Sequence, residues 1–280
     1  MRFHLIGAFC VFAIFQLAYS EKKLRQCNSQ PYIDLNRIYG GSNARPMEFP
    51  HMASLKIRYL NSHICGATLI DDQWVLTAAH CFSRTRAPYN WKIKLGEHSL
   101  NNPDSTERDF NVIKVIIHED YNSQNQLNDI ALIKLNQSVD FKTNNHLKPI
   151  CLADMKFIVR SGYHCVVSGW GKGEKGSVVT DVLQKLDQPL LNYEQCAKAW
   201  EGIGWPVTNK HVCVGDLKSQ QGVCSGDSGG PVQCRLANGE WMQVGVTSWT
   251  TNICTATGYA AVFTQVNAYL DWINKNIESN

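Results

Sequence analysis

The segment Trp91-Lys92-Ile93-Lys94-Leu95 decides the fold class, because its apolar and basic side chains alternate with the two-residue period of a β-strand. A strand of this kind buries one face and leaves the other in water. Other short segments rich in β-branched and aromatic residues lie between turn signals, at 53–59, 66–69, 112–117, 130–135, 165–169, 244–249 and 260–266. The pattern predicts an all-β protein.

The end of the chain is the one segment whose pattern favours a helix. Apolar residues recur there at spacings of three and four, at Val266, Tyr269, Leu270, Ile273 and Ile277. This spacing puts them on one face of a helix, which we expect to pack onto a β-barrel. The polar connection at 143–149 carries no strand signal and is the expected division between two barrels of similar size.

The composition excludes several classes of protein. The chain has 280 residues, of which 44% are hydrophobic and 18% charged. It can bury a substantial core, so a disordered or fibrous protein is excluded. Lys and Arg number 27 against 24 for Asp and Glu, a net charge of +3. So small an excess gives no reason to expect a nucleic-acid partner.

The first twenty residues read as a signal peptide. About thirteen apolar residues extend from Leu5 to Leu17, and the small residues Ala18 and Ser20 precede the expected cut. The segment is too short to cross a bilayer comfortably. A core helix is the alternative, but the segment begins at the chain start and ends in the charged residues 21–23. The sequence therefore predicts a secreted, extracellular product with no membrane association.

The cysteine count points to disulfides and to a second cut. Of 11 cysteines, Cys10 leaves with the signal peptide, and an even number in a secreted chain predicts about five disulfide bonds. A basic residue before an apolar residue and glycines, Arg37-Ile38-Tyr39-Gly40-Gly41, is a candidate processing site. Cleavage after Arg37 would leave an odd number of cysteines in 38–280, so one of them would have no partner unless Cys27 stays bonded to it. We expect a propeptide, 21–37, that is cleaved but tethered.

Three residues are candidates for nucleophilic catalysis. Gly226-Asp227-Ser228-Gly229-Gly230-Pro231 suits a tight turn that exposes the hydroxyl of Ser228, although a glycine-rich hairpin is the alternative. A serine needs a base, and the base needs a third group to orient it. His80 follows an apolar run and Asp129 opens a buried strand. Taken alone, each has an ordinary structural explanation, a core histidine and a turn cap.

Taken together, these residues resemble those of the trypsin-like, chymotrypsin-fold serine proteases, and among them most the chymotrypsin-like and pancreatic-type elastases. The resemblance extends from about Ile38 to Ile277. Its blocks, in the family's order and spacing, are 37–41, 77–81, 128–132, 168–171, 226–231 and 248–249. It implies one peptidase domain, 38–280, of two six-stranded antiparallel β-barrels, about 38–145 and 146–264. A C-terminal α-helix at about 265–278 and an active site in the cleft between the barrels complete the expectation.

The resemblance assigns catalytic roles. Ser228 would attack the scissile carbonyl, His80 would act as general base and then acid, and Asp129 would orient the imidazole. The backbone N–H groups of Gly226 and Ser228 would form the oxyanion hole. The implied protein is a monomer that acts on proteins or peptides, is restrained by protein protease inhibitors, and needs no cofactor for catalysis.

The resemblance also implies a disulfide pattern and a switch. The implied pairs are Cys27 with Cys151, Cys65 with Cys81, Cys165 with Cys234, Cys196 with Cys213, and Cys224 with Cys254. After the cut, the amine of Ile38 would pair with Asp227, so the uncut chain would be a zymogen. Tyr39 departs from the family's usual valine at that position.

The specificity pocket is expected to be shallow. Its base would be formed by Gly222 and Val223, where trypsin-like members have an aspartate, and its walls would carry Thr250 and Ala261. The neighbouring Ser248 and Trp249 are assigned to the same pocket. This favours elastase-like cleavage after small aliphatic residues, with cleavage after Leu, Met or Phe as the alternative. Without an acid for arginine, the chain would need a separate trypsin-like protease to cut after Arg37.

Two further sites are candidates. Glu97, Asp104 and Glu107 have the spacing of the calcium loop of trypsins and pancreatic elastases, and three carboxylates suit Ca²⁺; a solvated acidic loop is the alternative. Asn136-Gln137-Ser138 is a glycosylation sequon, with an unmodified polar turn as its alternative.

A protein of another class, a protease-like binding protein without catalytic activity, is the competing interpretation for the whole chain. All three triad positions and both oxyanion positions are present in the sequence, which favours the enzyme.

Overall fold

The computed structural model describes residues 24–27, 31, 41–172, 179–218, 221–251, 254 and 258–280. The strands within these residues are β1 (Gln26–Cys27), β2 (Gly41–Asn43), β3 (Met52–Ile57), β4 (Ser62–Leu69), β5 (Trp74–Thr77), β6 (Trp91–Leu95), β7 (Arg108–Ile117), β8 (Ala131–Leu135), β9 (Cys151–Ala153), β10 (His164–Gly169), β11 (Gln184–Leu191), β12 (His211–Val214), β13 (Pro231–Arg235), β14 (Trp241–Trp249) and β15 (Ala261–Gln265). The helices are α1 (Tyr193–Ala199) and α2 (Leu270–Glu278), with 3₁₀ turns at Ala79–Phe82, Pro88–Asn90 and Val266–Tyr269.

The first barrel closes in the order β3-β4-β5-β8-β7-β6. The apolar residues of β6, Trp91, Ile93 and Leu95, are fully buried, as their alternation predicts. The opposite face of β6 is less exposed to solvent than the alternation predicts, since Lys94 on that face is only 8% exposed. Its ammonium group donates a hydrogen bond to Glu107, and this pairing lets a charged side chain lie under the loop that covers the strand.

The second barrel consists of β14-β13-β10-β11-β12-β15, and pairing between β14 and β15 closes it. Neighbouring strands are antiparallel in both barrels. The all-β fold of two six-stranded barrels with a C-terminal helix is therefore confirmed. Three short strands lie outside the ring: β2 pairs with β11, β9 pairs with β14, and β1 pairs with β9. Gly41–Asn43 thus pairs with the second barrel, although it precedes the first in sequence.

The sequence of β11 does not have the residue pattern of a strand. The strand β11 carries Gln184, Lys185, Asp187 and Gln188 along with a proline, which is not the composition of a typical strand. Gln188 is only 2% exposed. The burial of this polar side chain is tolerated because its side-chain oxygen accepts a hydrogen bond from the backbone N–H of Asp216. Tertiary hydrogen bonding, rather than β propensity, therefore holds this strand in the sheet.

The C-terminal helix is confirmed and packs where its apolar stripe predicts. Leu270, Ile273 and Ile277 are buried in the core cluster of the first barrel. The expectation of a single helix was wrong, since α1 is a second one. Its capping box joins Asn192 and Gln195, a local signal that the hydrophobic pattern did not include. None of the helices in the described residues is long and apolar enough to span a bilayer.

Candidate active site

His80 and Asp129 meet at the end of β5. The 3₁₀ turn Ala79–Phe82 carries His80, and the disulfide between Cys65 and Cys81 fixes the residue that follows it. Nδ1 of His80 lies 2.7 Å from Oδ2 of Asp129, and the backbone N–H of His80 donates to Oδ1 at 2.9 Å. The carboxylate thus accepts from both the ring and the main chain of the histidine, which fixes the orientation of the imidazole.

The second barrel supplies the other partners of Asp129. The hydroxyl of Ser248, in β14, donates to Oδ2, and that of Thr264, in β15, donates to the main-chain oxygen at 2.8 Å. Asp129 is fully buried, so the hydrogen bond from Ser248 to its carboxylate offsets part of the cost of desolvating the charge. Ser248 was assigned to the specificity pocket, but its hydroxyl contacts the carboxylate. The role of Thr264 has no local signal in the sequence, because only the fold brings it to this point.

The pKa of His80 reflects two opposing effects. Burial of the ring lowers it, while the charge of Asp129 and the hydrogen bond to that carboxylate raise it. The second pair of effects is larger, so the pKa of His80 lies above its usual value. A higher pKa makes the neutral imidazole a stronger base, which is the property needed to take a proton from an alcohol.

The glycine-rich turn that carries Ser228 packs against the segment before His80. A Cβ on Gly229, which has φ +76°, would lie 2.2 Å from Oγ1 of Thr77 and 2.6 Å from the oxygen of Gly66. Glycine alone allows this approach. Ser228 itself is partly exposed, between Asp227 and the buried Gly229. The turn suggested by the glycines is therefore present and lies beside the end of β5.

Asp227, the neighbour of the serine, is a half-buried residue whose carboxylate accepts hydrogen bonds from two backbone N–H groups. Its Oδ1 accepts from the N–H of Gly171 at 2.8 Å and its Oδ2 from the N–H of Cys224 at 2.9 Å. Burial raises the pKa of Asp227 to about 6, although both hydrogen bonds lower it. The carboxylate thus lies in an environment that would favour a cation beside it. Its expected partner, Ile38, and the cut residue, Arg37, lie outside the described residues.

The structure contains the disulfides that the resemblance implies. They join Cys27 to Cys151, Cys65 to Cys81, Cys165 to Cys234, Cys196 to Cys213, and Cys224 to Cys254. Cys65 to Cys81 closes a short loop beside the histidine. Cys224 to Cys254 ties the segment before the serine to a segment beyond β14.

The residues assigned to the pocket form two groups. Val223 and Ala261 are each 4% exposed and belong to the core cluster of the second barrel. Gly222 and Thr250 are partly exposed. Trp249 is buried, with its ring 4.8 Å from that of His211. At Val223 and Ala261 the region is apolar, and at position 222 there is no side chain to carry a charge.

The acidic loop does not fit a calcium site. Glu97 pairs with Lys56, both side chains being 1% exposed, and Glu107 pairs with Lys94. Asp104 lies apart in solvent, where its Oδ1 accepts from the N–H of Thr106 at 2.7 Å. Two ammonium groups already neutralise the two buried acids, so a divalent ion there would meet like charges. The alternative of a solvated loop holds for Asp104, which is exposed, but not for Glu97, which is 5% exposed.

A group of metal-ligating residues also converges beside the histidine. In the part of the chain that the structure describes, the ligand atoms of three such residues lie within 4.8 Å of one another at Cys65, His80 and Cys81. The two cysteines form a disulfide and are not thiolates. Asn136 is exposed at the end of β8, and its Oδ1 accepts from the N–H of Asn111 at 2.9 Å.

A buried carboxylate that orients an imidazole, together with a glycine-framed serine turn packed against the segment before that histidine, is the arrangement found in serine endopeptidases. The comparisons with known proteins agree with this class. The family model described as Trypsin matches residues 38–273. Trypsin I-P1 of Gallus gallus is 37% identical over 248 residues, which cover 88% of this chain and 92% of that protein. Trypsin I-P38 of Gallus gallus is similar to the same extent.

The chain therefore belongs to the trypsin family and is a trypsin-like serine endopeptidase. Proteases of this family need no cofactor for catalysis.

Replacing Lys56 with methionine should destabilise the protein and make its stability depend on calcium. Breaking a buried ion pair costs about 3–5 kcal/mol, because it leaves Glu97 charged and unpaired. The Oε2 atom of Glu97 has no hydrogen-bond partner among the described residues, so the freed carboxylate could accept an added cation. We expect the melting temperature of the unmodified protein to be the same in Ca²⁺ and in chelator, and that of Lys56→Met to be lower and raised by Ca²⁺.

Two controls accompany this measurement. Lys92→Met removes a lysine of β6 whose partner, Asp109, is half exposed, so it should cost less than about 1 kcal/mol. Lys56→Met combined with Glu97→Gln should recover much of the lost stability. An unmodified protein that melts at a clearly higher temperature in Ca²⁺ would contradict the interpretation.

Proposed function

We propose that this chain is a secreted serine endopeptidase, made as an inactive precursor, that hydrolyses peptide bonds through an acyl-enzyme. The hydrogen bond between His80 and Asp129 carries the proposal, because it prepares a base beside the turn of Ser228. In the proposed reaction His80 takes the proton of Ser228 as the hydroxyl attacks the carbonyl, then gives it to the leaving amine. Water, deprotonated by the same imidazole, releases the acyl group.

The backbone N–H groups of Gly226 and Ser228 are the proposed oxyanion hole. Loss of one such donor typically raises the barrier by about 3 kcal/mol. Gly226 has φ +105° and its carbonyl accepts from Nε2 of His63 at 3.0 Å. This bond restrains the peptide between Gly226 and Asp227, which lies in the chain between the two proposed donors.

We propose that activation follows a cut after Arg37. The amine of Ile38 would enter the protein and pair with Asp227, whose raised pKa reflects the cost of burying its charge. The two amides on that carboxylate belong to Gly171 and Cys224, so the pair would connect the new terminus to the segments that flank the nucleophile. The cut is assigned to a separate trypsin-like protease.

The proposed specificity is for small aliphatic residues before the scissile bond. Gly222 offers no charge to Lys or Arg, and the side chains of Thr250 and Ala261 at the two expected wall positions favour a shallow pocket. Cleavage after Leu, Met or Phe is the second candidate, since both classes are apolar. No calcium ion enters the proposal, because Lys56 and Lys94 already neutralise the acids of that loop.

The remaining proposals concern the setting of the enzyme. We assign residues 1–20 to a signal peptide, 21–37 to the propeptide and 38–280 to a monomeric peptidase domain in the extracellular space. Five disulfides support an oxidising compartment. Protein substrates and protein protease inhibitors are the proposed partners, with Asn136 as a glycosylation site.

Fluorophosphonate labelling tests the catalytic assignment. After trypsin treatment the reagent should modify Ser228, and Ser228→Ala should abolish the reaction, as read by intact mass and by the labelled peptide. Asp129→Asn should slow labelling by about four orders of magnitude, because the imidazole loses its orienting charge. Ser225→Ala, which removes an exposed serine from the same segment, should leave it unchanged. A folded, cut protein that resists the reagent would favour a binding protein without catalytic activity.

Substitution of Gly222 tests the pocket. The unmodified enzyme should cleave a peptide library after Ala and Val and poorly after Lys and Arg. Gly222→Asp should raise kcat/KM for Lys and Arg relative to Ala by about tenfold or more, because it adds a buried charge for them to pair with. The matched variant Gly222→Asn has the same size and no charge, and should not produce this change. Efficient cleavage after Arg by the unmodified enzyme would contradict the assignment.

The contribution of Asp227 to the stability of the precursor should decrease as pH rises from about 4 to about 6. A folded pKa near 6, above the usual 3.8, means that the folded chain prefers Asp227 protonated, so ionisation costs stability. Two pKa units correspond to about 3 kcal/mol. After the cut, pairing with the new amine should lower the pKa of Asp227 and remove this loss.

Urea unfolding of the uncut and cut chains at several pH values measures this difference. In the uncut chain Asp227→Asn should remove the pH-dependent loss, while in the cut chain it should reduce stability and activity. Asp271→Asn, at an exposed position, is the control. Identical pH profiles for the cut and uncut chains would argue against the pairing.

A further inference from the structure

Part of the N-terminal leader is built into a sheet of the protein. Strand β1, Gln26–Cys27, pairs in parallel with β9, with Gln26 opposite Leu152. The N–H of Leu152 donates to the oxygen of Arg25 at 3.0 Å, and the N–H of Asp154 donates to the oxygen of Cys27 at 3.2 Å. Because β9 pairs in turn with β14, the leader adds an edge strand to the sheet of the second barrel.

The side chains of this leader segment reach both barrels. Leu24 is 5% exposed and belongs to the core cluster that contains Leu152 and the interior of the first barrel. Cys27 is 9% exposed and belongs to the core cluster of the second barrel. An apolar side chain buried on this scale contributes to binding irrespective of any covalent bond.

A salt bridge holds Arg25, which follows Leu24 in the sequence. The guanidinium of Arg25 donates to Oε1 of Glu240, and Nζ of Lys148 donates to the same oxygen at 3.0 Å. Arg25 and Lys148 lower the pKa of Glu240 to about 2, so the carboxylate is ionised throughout the working range of a protease. The site thus matches an extended peptide in which a basic residue follows an apolar one.

We propose that β9, together with Asp154 and Glu240, forms a peptide-binding site that retains the leader after cleavage without help from the disulfide. The inference rests on the proposed cleavage of the precursor and adds a second, non-covalent attachment. The bond between Cys27 and Cys151 then prevents escape and returns a leader that has dissociated, by keeping its local concentration high. The mature enzyme is accordingly a two-chain protein whose short chain is part of its sheet.

A cysteine-free version of this junction tests the proposal. The precursor from residue 21, carrying Cys27→Ser and Cys151→Ser, receives a recognition sequence for an unrelated site-specific protease after Asn36. After that cut, the leader should co-elute with the protease in native gel filtration and separate from it in denaturant, as followed by mass spectrometry. If the leader is lost as soon as the chain is cut, the disulfide alone holds it and the proposal is overturned.

Side-chain variants show whether the described contacts are responsible. Leu24→Asp should weaken retention about tenfold or more, because it places a charge in the core cluster. Arg25→Glu should weaken it as well, and Arg25→Glu combined with Glu240→Lys should restore it. A synthetic peptide of residues 21–31 with Cys27→Ser should bind the stripped protease in calorimetry, whereas a scrambled peptide should not. Retention that none of these variants changes would contradict the assigned site.

Hydrogen exchange gives a second measurement if the cysteine-free protein does not fold. In the protein with its native cysteines, the amides of Leu152 and Asp154 should stay protected after the cut, and Leu24→Asp should reduce that protection. If these amides lose protection when the protein without the Leu24→Asp change is cut at the inserted site, the proposal is overturned. Since the cut is made at an inserted site, neither result depends on Arg37. Failure of trypsin to cut after Arg37 would count only against the proposed activation.

Discussion

A fully buried carboxylate, Asp129, connects the two barrels. It comes from the first barrel, where it bonds to both the ring and the main chain of His80. From the second barrel, the hydroxyl of Ser248 donates to the carboxylate and that of Thr264 donates to the main-chain oxygen of Asp129. Both residues are nine-tenths or more buried. An ionised carboxylate without such donors would be costly to bury. The barrels must therefore pack in one relative position for this charge to be tolerated, and the same position orients the imidazole.

Glycine makes the second close contact between the barrels. A Cβ on Gly66, in the first barrel, would lie 2.8 Å from the Cα of Gly230, at the start of the second. Together with Gly229 against Thr77, this brings two backbones to a separation that side chains would prevent. The glycines of the serine turn thus act on packing between barrels as well as on the shape of the turn.

The sequence predicted local features better than those made by distant residues. Strands with alternating or apolar patterns, such as β6, and the striped C-terminal helix are legible because each pattern lies within one segment. The polar β11, by contrast, has its buried Gln188 satisfied by Asp216, a partner far along the chain. The candidate site divides in the same way. Short motifs pointed to His80, Asp129 and Ser228, but the hydroxyl of Ser248 on Asp129 and the ammonium of Lys56 on Glu97 depend on tertiary contacts that no local pattern contains.

The position of α2 has a consequence for biosynthesis. This helix follows the second barrel in sequence, yet Leu270, Ile273 and Ile277 complete the core of the first. The hydroxyl of Tyr269 also donates to Asn128, the neighbour of the buried carboxylate, at 2.9 Å. While the second half is still being synthesised, α2 is absent, and the apolar face of the first barrel that it covers stays exposed. The first barrel can reach its native packing only after α2 has been translated, which makes the folding of the first half depend on the synthesis of the second.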